Sequence, residues 1–539
     1  MNRSGLVDTF AADHLPPRDA WPVLLLGSGG FDYPARLNVV TELLDRWVEK
    51  GEGGRVAIFF PGGQWNYAEL AERVNRIANV LTGPLGLVPG NRVLLRAPNT
   101  AMMVASYLAV LKAGLIAVPT MPMMRAKELK TPLEKARVHA ALCLHTHMDE
   151  LEAAIAETGG AVRILTFGTD DCELERLMAQ ASPSFHACDT ASDDVCLFAF
   201  TSGTTGGPKA TMHFHRDLLA IADGYARHIL APTPDDRFIG SPPLAFTFGL
   251  GGLVIFPMRF GASVVLPEKS APDDLLEAFR TYRPTIVFTA PTAYRAMAGK
   301  VTREDIASLR ICVSAGEGLP RTTLELWREA TGLTLMDGIG STEMLHIFIA
   351  SPPGAVRPGA TGKPVPGYEA RIIDENGDDV PDGQSGLLAV RGPTGCRYLA
   401  DHRQAVYVRN GWNVTGDTYV RDADGYFWYQ ARSDDMIISA GYNISGPEVE
   451  EALLTHPAVA ECGVVGQPDD ERGTLVTAVV VLRPGYQGDA TLIKALQDHV
   501  KTTIAPYKYP RKILFVKKLP TTVTGKLSRT LLRQTLAKY

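Results

Sequence analysis

No CxxC pair occurs in this sequence. Its seven cysteines (Cys143, Cys172, Cys188, Cys196, Cys312, Cys396 and Cys462) are scattered and odd in number. That pattern argues against a zinc ribbon and a disulfide framework; free thiols in a reducing cytoplasm are expected instead. Blocks of lysine and arginine are also missing, and the net charge of −5 is small for the length, so a nucleic-acid surface has no support. There is no uninterrupted apolar run of membrane-spanning length. The most apolar window, 101-AMMVASYLAVLKAGLIAVP-119, contains Lys112 and an Ala-Gly break, and it reads as a buried helix running into a strand. The opening MNRSGLVDTFAADHLPPRDAW carries acids, His14 and a proline pair where a signal peptide needs an apolar core. No repeat period appears, which disfavours a solenoid. The pairs His145-x-His147 and His213-x-His215 make weak metal sites, because positions i and i+2 do not share a helix face and no cysteine cluster joins them.

What is present is an ordinary globular composition, 45% apolar and 21% charged over 539 residues, too long for a single hydrophobic core. Short apolar strands recur between helical segments at 92-RVLLRA-97, 115-LIAVP-119, 141-ALCLH-145 and 162-VRILTF-167. They return at 237-RFIGS-241, 263-SVVLP-267, 285-TIVFTA-290 and 309-LRICVSAG-316. This rhythm predicts parallel sheets covered by helices, among them YAELAERVNRIANVL and 216-RDLLAIADGYARHIL-230. After about residue 360, strand pairs with turns at Asn376-Gly377 and Asp424-Gly425 predict a β-rich subdomain. A compact tail follows, with a helix from Pro447, strands at 459-VAECGVVG-466 and 475-LVTAVVVL-482, and a helix near 491–504. The expected architecture is α/β, with a large N-terminal domain over 1–433 and a small, mobile α+β C-terminal domain over 434–539.

The densest phosphate-binding chemistry lies in 200-FTSGTTGGPKATMHFH-215. Against the Walker pattern GxxxxGK[ST], Pro208 stands where the second glycine belongs, and Ala210 stands where a magnesium-binding hydroxyl belongs. A Walker-type kinase or ATPase is therefore disfavoured. The loop still suits an anion. Gly203, Gly206 and Gly207 let backbone N–H groups approach closely, Thr201, Ser202, Thr204 and Thr205 offer hydroxyl donors, and Lys209 adds a point charge. Lying after 195-VCLFAF-200 and before the helix predicted from 216, it is expected to form a strand–loop–helix anion site.

TSGTTGGPK resembles the signature of the adenylate-forming enzymes, the family of acyl-CoA synthetases, luciferases and peptide-synthetase adenylation domains; family members usually carry Gly at the position of Ala210. Further motifs follow in the family order. Residues 337-DGIGSTE-343 resemble the motif that holds adenine, the α-phosphate and magnesium. That resemblance implies nucleotide contacts from Asp337, Gly338, Ile339, Gly340, Ser341 and Thr342, and a hard oxygen ligand for Mg²⁺ from Glu343. The segment 314-SAGEGLP-320 resembles the adenine-flanking stretch, which brings in Ala315, Gly316 and Glu317. The segment 412-WNVTGD-417 places Asp417 at the ribose position. In 429-YQARSDDMIISAGYNISGPEVE-450 the resemblance assigns Arg432 to the nucleotide, Asp434 to an interdomain hinge, and Gly441 and Tyr442 to the channel for coenzyme A. The C-terminal 520-PTTVTGKLSR-529 resembles the catalytic-lysine motif, which gives Lys526 that role.

The chemistry so implied is activation of a carboxylate by ATP with Mg²⁺, then capture of the acyl-adenylate by a thiol. Lys526, Thr342 and Glu343 are the candidate catalytic residues. Coenzyme A is the expected thiol because no carrier domain follows the lysine motif before Tyr539. The acid pocket is expected between 244-LAFTFGLGG-252 and 340-GSTEMLHIF-348, segments that resemble those of benzoate-type CoA ligases. Carried over, the lining is Thr247, Phe248, Ala315, Gly340, His346 and Ile347. The amino-terminal stretch resembles the 2-aminobenzoate-CoA ligase branch, and Thr247 could accept from an ortho-amino group. The alternatives are a ligase for benzoate or another substituted benzoate, and a nucleotide-binding protein without thioester activity. A cytoplasmic monomer or homodimer without membrane or nucleic-acid partners is expected.

Overall fold

In the computed structural model, the described residues are 4–27, 30–201, 208–432, 435–439, 442–469, 473–504, 506–522 and 526–536. Two large sheets organise the N-terminal part. In the six-stranded sheet the order is Arg163–Phe167, Ala140–Leu144, Arg92–Arg96, Ile116–Thr120, Val195–Thr201 and Lys209–Phe214, and only the last strand is antiparallel to its neighbour. The nine-stranded sheet has a parallel centre made of Leu335–Gly340, Ile311–Ala315, Ile286–Thr289, Arg237–Gly240, Ser263–Val265 and Val56–Phe60. Antiparallel strands flank it on both sides.

A helical layer lies between these sheets. The helix Tyr67–Thr82 starts at a capping box formed by Asn66 and Glu69, and its apolar stripe packs on Ala101–Lys112. The latter helix, capped by Thr100, is buried on nearly every side. Lys112 is tolerated there because Asp45 accepts from its ammonium at 2.7 Å and Asn75 at 2.6 Å. Strand alternation divides the core. Along Arg92–Arg96, Val93 and Leu95 join the cluster shared by both sheets, while Leu94 faces the opposite side of its sheet.

Beyond these sheets, five antiparallel strands form the expected β-rich subdomain, including Ser385–Arg391, Trp412–Arg421 and Phe427–Arg432. The C-terminal domain has a three-stranded sheet (Val459–Asp469, Gly473–Leu482, Lys512–Phe515) with the helices Gly446–Leu454, Ala490–Thr503 and Arg529–Leu536 around its own core. The α/β class and the small α+β tail are as anticipated; the expected 433/434 boundary lies outside the described residues. All seven cysteines are free thiols. Among the described residues no helix is long and apolar enough to cross a membrane, and no group of three or more His, Cys, Asp or Glu could hold a metal.

One local expectation is corrected. The glycine-rich loop does not lead from a strand into a helix. It joins Val195–Thr201 to the antiparallel strand Lys209–Phe214, and the helix starts only at His215. The alternation of 209-KATMHF-214 lets this stretch extend along its neighbour, with Thr201 opposite Lys209. An anion at the loop therefore meets a hairpin, not a helix N-terminus.

Candidate active site

The motif residues converge at the carboxyl ends of the parallel strands, where ligands of open α/β sheets bind. Ile311–Ala315 ends at Ala315, paired with Gly338 of Leu335–Gly340. Immediately beyond Ala315, Gly316 takes φ +92°, a conformation costly for residues with a side chain, and a Cβ there would lie 3.5 Å from Lys526 Nζ. The C-terminal lysine thus reaches the end of a large-sheet strand. The Lys526 residue is exposed, yet its ammonium is crowded: burial pushes its pKa down and the Glu317 carboxylate partly opposes that shift. Glu317 in turn is pushed up by burial and pulled down by Lys526. The domains also meet where the Arg321 N–H donates to Glu451 Oε1 at 3.0 Å.

The segment 341–345 is a tight turn. Ser341 Oγ accepts from the Met344 N–H at 3.1 Å. The Thr342 carbonyl accepts from the Leu345 N–H at 3.2 Å and from His213 Nε2 at 2.8 Å; since a carbonyl can only accept, Nε2 carries the hydrogen. Leu345, fully buried, sits in the left-handed region at φ 71°. Glu343 is buried, and its Oε1 accepts from Tyr398 Oη at 2.6 Å. Lys209, from the exit of the glycine-rich loop, lies with its ammonium 4.8 Å from the centre of the same Tyr398 ring and 6.0 Å from that of Tyr407. On the entry side, the Thr201 hydroxyl is buried without a partner among the described residues. Ser202, Gly203, Thr204, Thr205, Gly206 and Gly207 lie outside the described residues.

Asp337 is buried, and desolvation pushes its carboxyl up to about 8 against one backbone hydrogen bond that lowers it; its Oδ1 has no partner among the described residues. Asp417 and Arg432 are register partners on adjacent strands, and Arg432 Nη1 donates to Asp417 Oδ1 at 3.4 Å. Asp434 and Gly441 lie outside the described residues, and of Tyr442 only the backbone strand is described.

The expected acid-pocket residues also come together. Thr247 opens the short helix Thr247–Leu250, and Thr247 and Phe248 are half-buried. The Phe248 ring centre is 5.6 Å from that of His346. A Cβ on Gly340 would stand 2.6 Å from the His346 carbonyl oxygen, so the backbone approach there requires glycine. His346 and Ile347 are more enclosed than a simple pocket wall. Ile347 packs on Gly338, and His346 is surrounded by Tyr225, Phe248, Phe256 and Phe288. Burial pushes His346 down to about 3, with its bond to the Phe248 carbonyl opposing; the imidazole is neutral at physiological pH.

Sequence reasoning missed Asp217, Arg397, Tyr398, Tyr407, the ring cage and the role of His213, which bonds the Thr342 carbonyl. The adjacent aromatic and cationic residues in 396-CRY-398 were the available signal, but their partners are 55 and 180 positions away.

This arrangement sets a loop lysine, a buried carboxylate and a lysine from a second domain around the ends of two neighbouring strands, beside a cluster of packed aromatic rings. The chain belongs to the AMP-binding enzyme family: the family matches residues 44–398, and the AMP-binding enzyme C-terminal domain matches 448–526. Its relatives include acid–CoA ligases. It is 37% identical over 511 residues to the benzoate–CoA ligase of Thauera aromatica, covering 93% of this chain and 96% of that one. Among solved structures, the anthranilate CoA ligase AuaEII in complex with anthranoyl-AMP superposes with a TM-score of 0.89 at 35% identity, over 94% of this chain and 99% of that one. A benzoate CoA ligase from Burkholderia xenovorans LB400 gives 0.85 at 34%, over 92% and 100%.

Proposed function

We propose that the protein is an AMP-forming ligase that joins an aromatic acid to coenzyme A, with 2-aminobenzoate as its acid. The observation that carries the ligase reading is the approach of Lys526 to Gly316, beside the strand Leu335–Gly340 that leads into 341-STE-343. A carboxylate oxygen of the acid attacks the α-phosphorus of ATP, the bond to pyrophosphate breaks, and charge spreads over the phosphoryl oxygens. Lys526 neutralises that charge and orients the carboxylate. Thr342 donates to the α-phosphate, while Lys209 and the loop hold the outer phosphates. The nucleotide rests on 315–317 and 337–340, with Asp417 and Arg432 toward the ribose. The thiol sulfur of coenzyme A then attacks the acyl carbon, AMP leaves with the bonding pair, and the thiol proton is lost to solvent. Exchange of Lys526 for the 439–443 segment between the two steps would turn about Asp434.

Magnesium fits the residues present. Glu343 is a hard oxygen donor with one oxygen fixed by Tyr398, and a single carboxylate plus substrate phosphates is an ordinary Mg²⁺ environment. Bound there with the triphosphate, it would offset phosphate charge.

For the acid, the likeness to the anthranilate ligase and the uncharged cluster of rings beside Thr247 and Phe248 support a flat aromatic substrate. The 37% identity to a benzoate–CoA ligase favours benzoate as the second reading. A hydrogen bond from an ortho-amino group to Thr247 is worth ~1 kcal/mol, somewhat under tenfold in selectivity. The test is pyrophosphate release across a panel of ring acids with and without CoA, with thioester masses, repeated in Thr247→Ala. The ratio of kcat/KM for 2-aminobenzoate over benzoate should fall several-fold; an unchanged ratio removes Thr247 from the specificity argument.

A further inference from the structure

Residues 397–399 run as a strap beside the strand that leaves the glycine-rich loop. The Met212 N–H donates to the Arg397 carbonyl at 2.8 Å, and the Leu399 N–H to the Ala210 carbonyl at 2.9 Å. From this strap, two neighbouring side chains reach the same dipeptide by different routes. Tyr398 Oη donates to Glu343 Oε1 at 2.6 Å. Arg397 pairs with buried Asp217, which lies 3.7 Å from His213 Nδ1, and His213 Nε2 donates to the Thr342 carbonyl. The Tyr398 ring is also the face beneath the Lys209 ammonium. One side chain therefore touches both the acidic motif after the nine-stranded sheet's strand Leu335–Gly340 and Lys209 at the start of the strand Lys209–Phe214.

We propose that Tyr398 is a positioning residue that holds the Glu343 carboxylate in one orientation and seats Lys209, so that the two phosphate-binding devices keep a fixed separation. This rests on the ligase reading above. The geometry permits one arrangement of the hydroxyl. A carboxylate can only accept, so the phenol donates to Glu343 Oε1 and fixes the orientation of a carboxylate that keeps lone pairs for the cation that travels with the triphosphate. Charge-assisted hydrogen bonds of this length are among the stronger ones, and a partner orienting a metal-binding carboxylate typically influences affinity or activity by 10–100-fold, on the order of one to two decades. Lys209 lies over the ring face, and among the described residues no carboxylate pairs with it, so its charge stays available to phosphate.

The test separates the hydroxyl from the ring. In Tyr398→Phe the ring and the Lys209 contact remain while Glu343 loses its donor. ATP binding is measured calorimetrically with Mg²⁺ and with EDTA, and pyrophosphate release is titrated with Mg²⁺. The expected result is a smaller Mg²⁺-dependent gain in ATP affinity and a Mg²⁺ requirement raised about tenfold or more. Thioester formation from pre-made acyl-adenylate should stay within about twofold, which also certifies that the variant is folded. In a Glu343→Gln background the Tyr398→Phe change should add little, because both act at one contact. An unchanged Mg²⁺ response, an equal loss in both half-reactions, or full additivity with Glu343→Gln overturns the proposal. If the wild-type protein forms no adenylate with any ring acid, the ligase reading falls, and this assignment falls with it.

Discussion

Lys526→Ala tests the ligase reading most directly, and a point-charge argument sets the expected size of the effect. In bulk water, two unit charges about 4 Å apart interact by ~1 kcal/mol; at the effective dielectric of about 20 found near a crowded protein surface the figure is ~4 kcal/mol. The Lys526 ammonium is in the second situation, close against Gly316 and Glu317 with its pKa pushed down by burial. Removing it should therefore slow adenylate formation by roughly a thousandfold, at about 1.4 kcal/mol per decade. The thioester step, started from synthetic acyl-adenylate, should change by no more than about threefold, since the proposed mechanism withdraws the lysine before it. The assay pairs single-turnover pyrophosphate release with thioester formation followed by product mass. The alkaline limb supplies a second readout. Because the pKa is lowered, the active cation is lost at a pH below the ordinary lysine range, and adenylation should decline there while thioester formation does not. Glu317→Gln removes the opposing carboxylate and should shift this limb further down. Equal losses in both half-reactions of Lys526→Ala, or a loss of only a few-fold in adenylation, would refute the reasoning.

Other expectations concern buried charges. Asp337 has a folded-state pKa raised from 3.8 to about 8, so between those values the folded state binds more protons than the unfolded one. Stability should fall as pH rises through that window, by up to about 1.4 kcal/mol per unit, and Asp337→Asn should flatten the fall; denaturant midpoints at about pH 5 and about pH 8 measure it. Arg397→Met leaves Asp217 buried without its guanidinium and should cost about 3–5 kcal/mol of unfolding free energy, most of it recovered by adding Asp217→Leu. Wild-type stability in the single variant would show that the pair is dispensable.

Much of the large framework was legible because it is written locally. Alternating strands such as 92-RVLLR-96, the Asn66–Glu69 box and the apolar window that became Ala101–Lys112 each satisfy their own rules within a few residues. The site motifs were legible for a related reason: their residue types lie together in sequence. What escaped depends on distance along the chain. Nothing near Tyr398 announces Glu343, and nothing near His346 announces Phe256 and Phe288. The path of the glycine-rich loop was misread because a helix does begin at His215, and periodicity within 209–214 was too short to reveal the intervening strand. His213 was weighed as a metal ligand, whereas its imidazole serves a carbonyl on another sheet.

The left-handed backbone at Leu345 has a consequence for how this site can evolve. Glycine would adopt φ 71° at no cost, whereas leucine sacrifices on the order of 1 kcal/mol there. Its side chain, wholly enclosed, returns more than that through burial. The bend after Glu343 is thus held by an oily anchor, and trimming that anchor would free the peptide plane on which the neighbouring threonine and glutamate ride. Substitutions inside the hydrophobic interior, far from any phosphate, can in this way reach the reacting groups.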